Sequence, residues 1–139
     1  MMNPLNIPLS TEADRVTGRR ILLVEDERLV RELIGRLLAK DAHTVVEANN
    51  GVEALLLFTR GQFDLVMTDF EIPFMKGNEL AARIKQLAPA QPILMITGYG
   101  KRRGVDNPVD AVLNKPVDLD QLRTAMARLL PEAGKGFSA

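Results

Sequence analysis

The chain has 139 residues, of which 46% are hydrophobic, and 18 lysine and arginine residues balance 18 aspartate and glutamate residues. This length suits one domain with its own core, so we expect no second effector domain, and the balanced charge disfavours nucleic acid as a partner. Cysteine is absent, which excludes disulfides and thiolate metal sites, and neither a signal peptide nor a membrane-spanning run is found. We therefore expect a cytoplasmic protein without membrane insertion.

Both ends of the chain are predicted to lie outside the domain. Proline and glycine interrupt residues 1–18, which we expect to form a mobile N-terminal arm. The predicted domain spans residues 19–131, and residues 132–139 are predicted to form a flexible tail. The initial Met1-Met2 favours a complete chain over an excised piece.

Apolar runs alternate with helical patterns in the first half of the domain. The continuous apolar run at Arg20–Glu25 predicts a parallel strand that is buried on both faces. Apolar residues then recur at helical spacing, which predicts an amphipathic helix. A shorter and more polar strand at Thr44–Ala48 suggests a sheet edge, and a second helix separates it from a third strand at Phe63–Asp69.

The second half repeats this alternation with one irregular stretch. A loop containing Pro73 leads to a third helix, and the fourth strand follows at Ile93–Thr97. Glycines interrupt residues 98–110, so the fourth helix is expected to be short or irregular. A fifth strand is predicted at Ala111–Asn114, and the last helix begins near Asp118.

Five strands alternating with helices predict an α/β fold with a parallel sheet and helices on both faces. Right-handed crossovers favour a flavodoxin-like, doubly wound sheet with the strand order 2-1-3-4-5. In that order strands 1 and 3 are neighbours, and ligands bind beyond the carboxyl ends of the strands. Residues that follow strands 1, 3, 4 and 5 should therefore meet at one edge.

Chemically distinctive residues stand at those strand ends. They are Glu25, Asp26, Asp69, Thr97 and Lys115. Taken singly, the acids suit helix caps or turns, and the threonine and lysine suit a strand end and a solvated surface. Together, three carboxylates, a hydroxyl and an ammonium provide what an acidic Mg²⁺ and phosphate site needs.

Four segments of the sequence resemble the receiver domain of bacterial response regulators in two-component signalling. They are ILLVEDE at Ile21–Glu27, DLVMTDFEIPFMKGNEL at Asp64–Leu80, ILMITGYG at Ile93–Gly100 and VLNKPVDLDQL at Val112–Leu122. The resemblance covers about residues 20–130 and agrees with the fold expected from the alternation of strands and helices.

The resemblance implies a metal site and a covalent phosphoryl acceptor. It implies that Mg²⁺ is held by Asp26 and Asp69, by Glu25 through a bound water, and by the backbone carbonyl of Glu71. Asp69 is implied to be the nucleophile that forms an acyl phosphate. We expect side chains at Glu71 and Tyr99 to flank the path of the attacking water and to tune the lifetime of that acyl phosphate.

The phosphoryl oxygens are expected to meet two further side chains. The resemblance implies that Thr97 donates a hydrogen bond to one oxygen and that Lys115 pairs with another as a point charge. It also implies a cis peptide bond between Lys115 and Pro116. His43, the only histidine, precedes the edge strand and is expected to be structural or exposed.

The function implied is that of a phosphoacceptor signalling domain in a phosphorelay. It would accept a phosphoryl group from a histidine kinase or phosphotransfer protein and switch contacts with a downstream protein, assisting its own phosphorylation and dephosphorylation without being an enzyme. A receiver-like module that works without phosphorylation is one alternative. An aspartate-nucleophile phosphohydrolase of the haloacid dehalogenase type is another, which the acid pair preceding Asp69 disfavours. No sequence feature indicates a particular oligomeric state.

Two features depart from the usual receiver pattern. Val112 occupies the position where these domains usually carry an aromatic residue, and the interval from Thr97 to Lys115 is shorter by roughly one helical turn. The hypothesis that follows is that phosphorylation orders or shifts residues 98–110 instead of rotating an aromatic switch.

Overall fold

The computed structural model describes residues 15–98 and 108–130. Most of the predicted arm and the whole predicted tail lie outside these residues. So do Tyr99 and most of the stretch in which a short or irregular fourth helix was expected.

The described residues form a parallel five-stranded sheet covered by helices. In chain order the elements are β1 (Arg20–Val24), α1 (Arg28–Ala39), β2 (Thr44–Ala48), α2 (Gly51–Arg60), β3 (Leu65–Asp69), α3 (Gly77–Leu87), β4 (Ile93–Thr97), β5 (Ala111–Asn114) and α4 (Leu119–Leu129). The strand order is β2-β1-β3-β4-β5, as the sequence predicts. Within the described chain, no helix has the length and apolar character that a membrane crossing requires.

The sheet separates two apolar layers. Every residue of β3 and β4 is buried, as expected for central strands between two helical layers. On one face α1 and α4 pack residues such as Ile34 and Leu122 onto the sheet, and on the other face α2 and α3 contribute Phe58 and Ile84. The edge strand β5 alternates between half-buried and exposed residues, and Val112 is 44% exposed.

Side chains secure the amino ends of the strands. Three backbone amides donate to side-chain acceptors that precede neighbouring strands: Arg19 N to His43 Nδ1 (2.9 Å), Arg20 N to Asp64 Oδ2 (2.8 Å) and Ile93 N to Asp110 Oδ2 (2.8 Å). His43 is buried and structural, and burial is the main reason its pKa is lowered. These bonds stabilise the edge of the sheet opposite the carboxyl ends of the strands.

Packing begins before Arg19, where the sequence places the start of the domain. Val16 is buried in the layer beneath α1 and α4, and Gly18 N donates to Asp41 O at 3.1 Å. Arg15 Nη1 lies 3.7 Å from Asp41 Oδ1. The last four residues of the predicted arm are therefore attached to the domain, because they bury an apolar side chain and satisfy polar groups near the end of α1.

Candidate functional site

An open cavity of about 990 Å³ lies at the carboxyl edge of the sheet. Its walls come from the ends of β1, β3, β4 and β5 and from the first turns of α1. The six site residues predicted from the sequence all line it: Glu25, Asp26, Asp69, Glu71, Thr97 and Lys115. The fold thus brings together residues from four distant segments, as the predicted strand order requires.

Three carboxylates converge in this cavity. Glu25, Asp26 and Asp69 each offer one oxygen, and these oxygens all lie within 4.8 Å of one another. Glu25 and Asp69 are buried, whereas Asp26 is exposed. Glu25 Oε1 is buried and has no hydrogen-bond partner in the part of the chain that is described. Lys115 Nζ lies 3.5 Å from this oxygen, beyond a good hydrogen bond, so the cluster of hard oxygen donors fits a divalent cation such as Mg²⁺.

The Glu25 carboxyl is strongly perturbed by its surroundings. Burial is the main cause that raises its pKa from 4.5 to about 7, and the charge of Asp69 acts in the same direction. The Glu27 backbone amide donates to Glu25 Oε2 at 3.1 Å and lowers the pKa, as does the charge of Lys115. Without a cation, ionisation of Glu25 therefore costs more free energy in the folded chain than in the unfolded chain.

Lys115 links the acids across the cavity. Its Nζ donates to Asp69 Oδ2 at 2.8 Å and lies 3.5 Å from Glu25 Oε1. Burial opposes the charged ammonium, but the hydrogen bond and charge of Asp69, with the charge of Glu25, outweigh burial and raise the Lys115 pKa. The Lys115–Pro116 peptide bond is cis, as the resemblance implies. The lysine is a stable cation beside the buried aspartate.

The backbone around Asp69 is tightly confined. Thr97, which is buried, ends the neighbouring strand β4, and its carbonyl accepts a 2.8 Å hydrogen bond from Lys115 N. A Cβ atom at Gly77 would lie 2.3 Å from the carbonyl oxygen of Asp69. Only glycine lets α3 begin this close to the end of β3, because no real Cβ contact is so short.

Glu71 stands at the mouth of the cavity with an exposed side chain. Lys76 Nζ donates to Glu71 Oε1 at 2.6 Å, and the same ammonium lies 5.8 Å from the centre of the Phe70 ring. Lys76 thus connects the end of the β3–α3 loop to its first two residues, next to Asp69. It also contains Phe74, which is 82% exposed and has a φ of 71°.

Arg31 is a residue at this site that the sequence reasoning missed. Its Nη1 donates to the backbone carbonyl of Glu25 at 2.9 Å, and its Nε donates to Glu47 Oε1 at 3.3 Å. In the sequence, the only sign of this role was an arginine one turn after the start of α1. The structure shows that this side of the helix faces β2. Helical periodicity alone does not distinguish such a residue from the solvated arginines of the same helix.

Comparisons with known proteins agree with this geometry. Residues 21–127 match the family described as "Response regulator receiver domain". Over 112 residues the chain is 37% identical to the transcriptional regulatory protein TcrA of Mycobacterium tuberculosis, covering 78% of this chain but only 44% of that protein. It is 30% identical over 118 residues to sporulation initiation phosphotransferase F of Bacillus subtilis, covering 82% of this chain and 95% of that one.

A similar solved structure is that of the response regulator protein TrrA from Thermotoga maritima, in complex with Mg²⁺ and BeF. The TM-score is 0.76 at 33% sequence identity, and the match covers 81% of this chain and 99% of that one. A region 33% identical over 119 residues also occurs in the sensor histidine kinase RcsC of Salmonella typhi, of which it covers 13%.

Proposed function

The chain belongs to the family of response regulator receiver domains, and on that premise we propose that Asp69 accepts a phosphoryl group with the help of Mg²⁺. As a receiver domain it is a component of two-component signalling. We propose that its donor is a phosphohistidine of a histidine kinase or phosphotransfer protein, and that the acceptor state changes contacts with a downstream protein. We further propose a cytoplasmic signalling role without enzymatic turnover of a separate substrate.

The observation that carries this proposal is the pairing of Asp69 with Lys115 inside a cluster of acids. A buried aspartate with an ammonium 2.8 Å from one of its oxygens is held in one orientation. Two further carboxylates within 4.8 Å create a negative field that would repel an incoming phosphoryl group unless a dication neutralised it. The residues therefore suit phosphoryl transfer only with a bound cation.

Each residue has a role in the proposed transfer. An Asp69 oxygen forms a bond to phosphorus while the bond between phosphorus and the donor's imidazole nitrogen breaks, and the released imidazole keeps that electron pair. Lys115 pairs with a phosphoryl oxygen, and the Thr97 hydroxyl donates to another. We propose that Asp26, Asp69 and the Glu71 carbonyl bind Mg²⁺ and that Glu25 holds a bound water. When bound, the cation offsets the charge that accumulates on the phosphoryl oxygens.

An apolar rim next to the cavity suits the approach of a protein donor. Leu29 and Leu33 of α1 are 73% and 50% exposed, and Leu33 also lines the cavity. A donor that presents a phosphohistidine to Asp69 must cover this rim, where exposed apolar side chains favour protein contact. We propose that the donor contacts these two leucines.

Acylation by a small phosphodonor tests the proposed function directly. With acetyl phosphate and Mg²⁺, intact-mass spectrometry should show the gain of one phosphoryl group, which should disappear with EDTA or in Asp69→Asn. Asp120→Asn is a matched control, because this exposed acid lies in α4 away from the cavity lining. Absence of a mass gain in the unmodified chain, or a gain that persists in Asp69→Asn, would reject the proposal.

The two alternatives predict outcomes that differ from this one. A module that works without phosphorylation would show no mass gain with Mg²⁺ present. A phosphohydrolase would release phosphate from a generic phosphate ester over many turnovers. The proposed phosphoacceptor should show neither behaviour, because each chain retains a single phosphoryl group until its acyl phosphate is hydrolysed.

A further inference from the structure

We infer that Arg31 is a positioning residue that fixes the peptide between Glu25 and Asp26 and so sets the metal-binding geometry of the acid pair. The inference rests on the metal site of the proposed function. It concerns a residue outside the cavity lining, whose guanidinium contacts the Glu25 carbonyl and Glu47.

The contacts of Arg31 form a closed ring with two strands. Its guanidinium bonds the Glu25 carbonyl through Nη1 (2.9 Å) and Glu47 Oε1 through Nε (3.3 Å). The next residue in β2, Ala48, accepts a 3.1 Å backbone hydrogen bond from Glu25 N. The end of β1, the first turn of α1 and the end of β2 are thus tied together. Arg31 is well suited to this position, because its side chain is only 14% exposed and guanidinium donors form a rigid fork.

The orientation of the Asp26 carboxylate depends on these contacts of Arg31 more than that of the Glu25 carboxylate does. The Glu25 side chain is held directly by the Glu27 amide, whereas no described residue donates a hydrogen bond to the Asp26 carboxylate. A peptide unit is planar, so holding the Glu25 carbonyl oxygen fixes the direction in which the chain continues to Asp26. Arg31 therefore orients a ligand that it does not touch.

Electrostatics and positioning predict opposite effects when Arg31 is replaced. Removal of a positive charge near a dication site should strengthen Mg²⁺ binding on Coulombic grounds. Loss of the hydrogen bond to the Glu25 carbonyl should weaken it, because the acid pair must then be ordered when the cation binds. The sign of the change in Mg²⁺ affinity distinguishes the two explanations.

The experiment is a calorimetric titration of the unphosphorylated full chain with Mg²⁺. Arg31→Met keeps the length of the stem but removes the donors, and it should raise the dissociation constant about tenfold. Arg31→Lys keeps the charge and one donor centre, so its dissociation constant should lie between those of the unmodified chain and Arg31→Met, about threefold above the former. Arg28→Met is the matched control: Arg28 lies in the same helix, is 73% exposed and pairs only with Glu32 among the described residues. Its dissociation constant should stay within about twofold of that of the unmodified chain.

Several outcomes would overturn the inference. These are an affinity of Arg31→Met that is unchanged or tighter, an equal loss in Arg28→Met, or no measurable Mg²⁺ binding by the unmodified chain. If circular dichroism shows that Arg31→Met is unfolded, Arg31→Lys decides, and a dissociation constant equal to that of the unmodified chain overturns the inference. A purely structural role would reduce the amount of binding-competent protein and leave the dissociation constant of the remaining fraction unchanged.

The failure of this inference can be separated from the failure of the proposed function. At saturating Mg²⁺, Arg31→Met should still gain one phosphoryl group on Asp69, because every group that meets the phosphoryl group is retained. A chain that binds Mg²⁺ with the predicted order of affinities but is never acylated would reject the proposed function alone. A chain that is acylated normally but shows no such order would reject the role of Arg31 alone.

Discussion

In the absence of a divalent cation, replacement of Glu25 by glutamine should stabilise the fold. The effect should appear as the pH rises above 4.5 and should be complete above about 7. Burial raises the pKa of Glu25 from 4.5 to about 7, so the folded chain resists the ionisation that the unfolded chain undergoes freely. Between these two values the folded state binds more protons than the unfolded state. The contribution of Glu25 to the free energy of unfolding therefore falls as the pH rises from about 4.5 to about 7 and stays low above that range.

The size of the effect follows from that difference in pKa. A shift from 4.5 to about 7 corresponds to about 3 kcal/mol. Glu25 lines an open cavity in which water can screen its charge, so we expect about 2 kcal/mol to be realised. The difference in stability between Glu25→Gln and the unmodified chain should therefore grow by about 2 kcal/mol from pH 4.5 to pH 8.

Urea unfolding in EDTA, followed by circular dichroism at several pH values, measures this difference. Taking the difference between the two chains cancels the titration of groups that both share, including His43. Asp120→Asn is the control, because this exposed acid lies in α4 outside the cavity lining. A difference between Glu25→Gln and the unmodified chain that is independent of pH, or that shrinks as pH rises, would refute the reasoning.

Three further perturbations test the packing around the site and beneath it. Gly77→Ala should destabilise the fold by about 3 kcal/mol in urea unfolding, because its Cβ would overlap the Asp69 carbonyl. Gly98→Ala, whose Cβ would have no atom of the described residues within 4 Å, should cost less than about 1 kcal/mol. Phe74→Gly should raise stability by about 1 kcal/mol, since glycine accepts the positive φ and the exposed ring contributes little; a lower stability would contradict this. Asp41→Asn should cost about 2 kcal/mol at pH 7, because it breaks a partly buried pair in which Arg123 of α4 donates two hydrogen bonds to the carboxylate. The pKa of Asp41 is lowered by that arginine, so this cost should decline as the pH falls below 3.8, and a constant cost down to low pH would count against it.

The strand order and the assembly of the site could be predicted from the sequence, because both depend on patterns that extend over many residues. Continuous apolar runs predicted the central strands, and the position of acids after strands 1 and 3 followed from the switch point of the sheet. The burial of Val16 could not be predicted, since a single apolar residue near glycine has no periodicity. The positive φ of Phe74 was also unpredictable, because bulky residues rarely adopt that conformation.

The electrostatics of the site were only partly accessible from the sequence. The residue types at Glu25 and Lys115 were informative, but the depth at which Glu25 is buried depends on how closely β1, β3 and α1 pack around it. Arg31 was indistinguishable from Arg28 and Arg36 by charge and spacing, although its side chain points to the backbone of the acid pair. A short-range hydrogen bond of this kind requires the position of the partner strand, which no local pattern supplies.

The absence of a side chain at Gly77 has a mechanical consequence. With the first residue of α3 pressed against the Asp69 peptide, and with Gly77 N donating to Phe70 O at 2.8 Å, the acceptor residue and this helix share one junction. Any displacement of that peptide must be accompanied by a displacement of the helix, because the interior is close-packed and there is no slack between them. A shift of the Asp69 backbone would thereby be transmitted to the outer surface of α3.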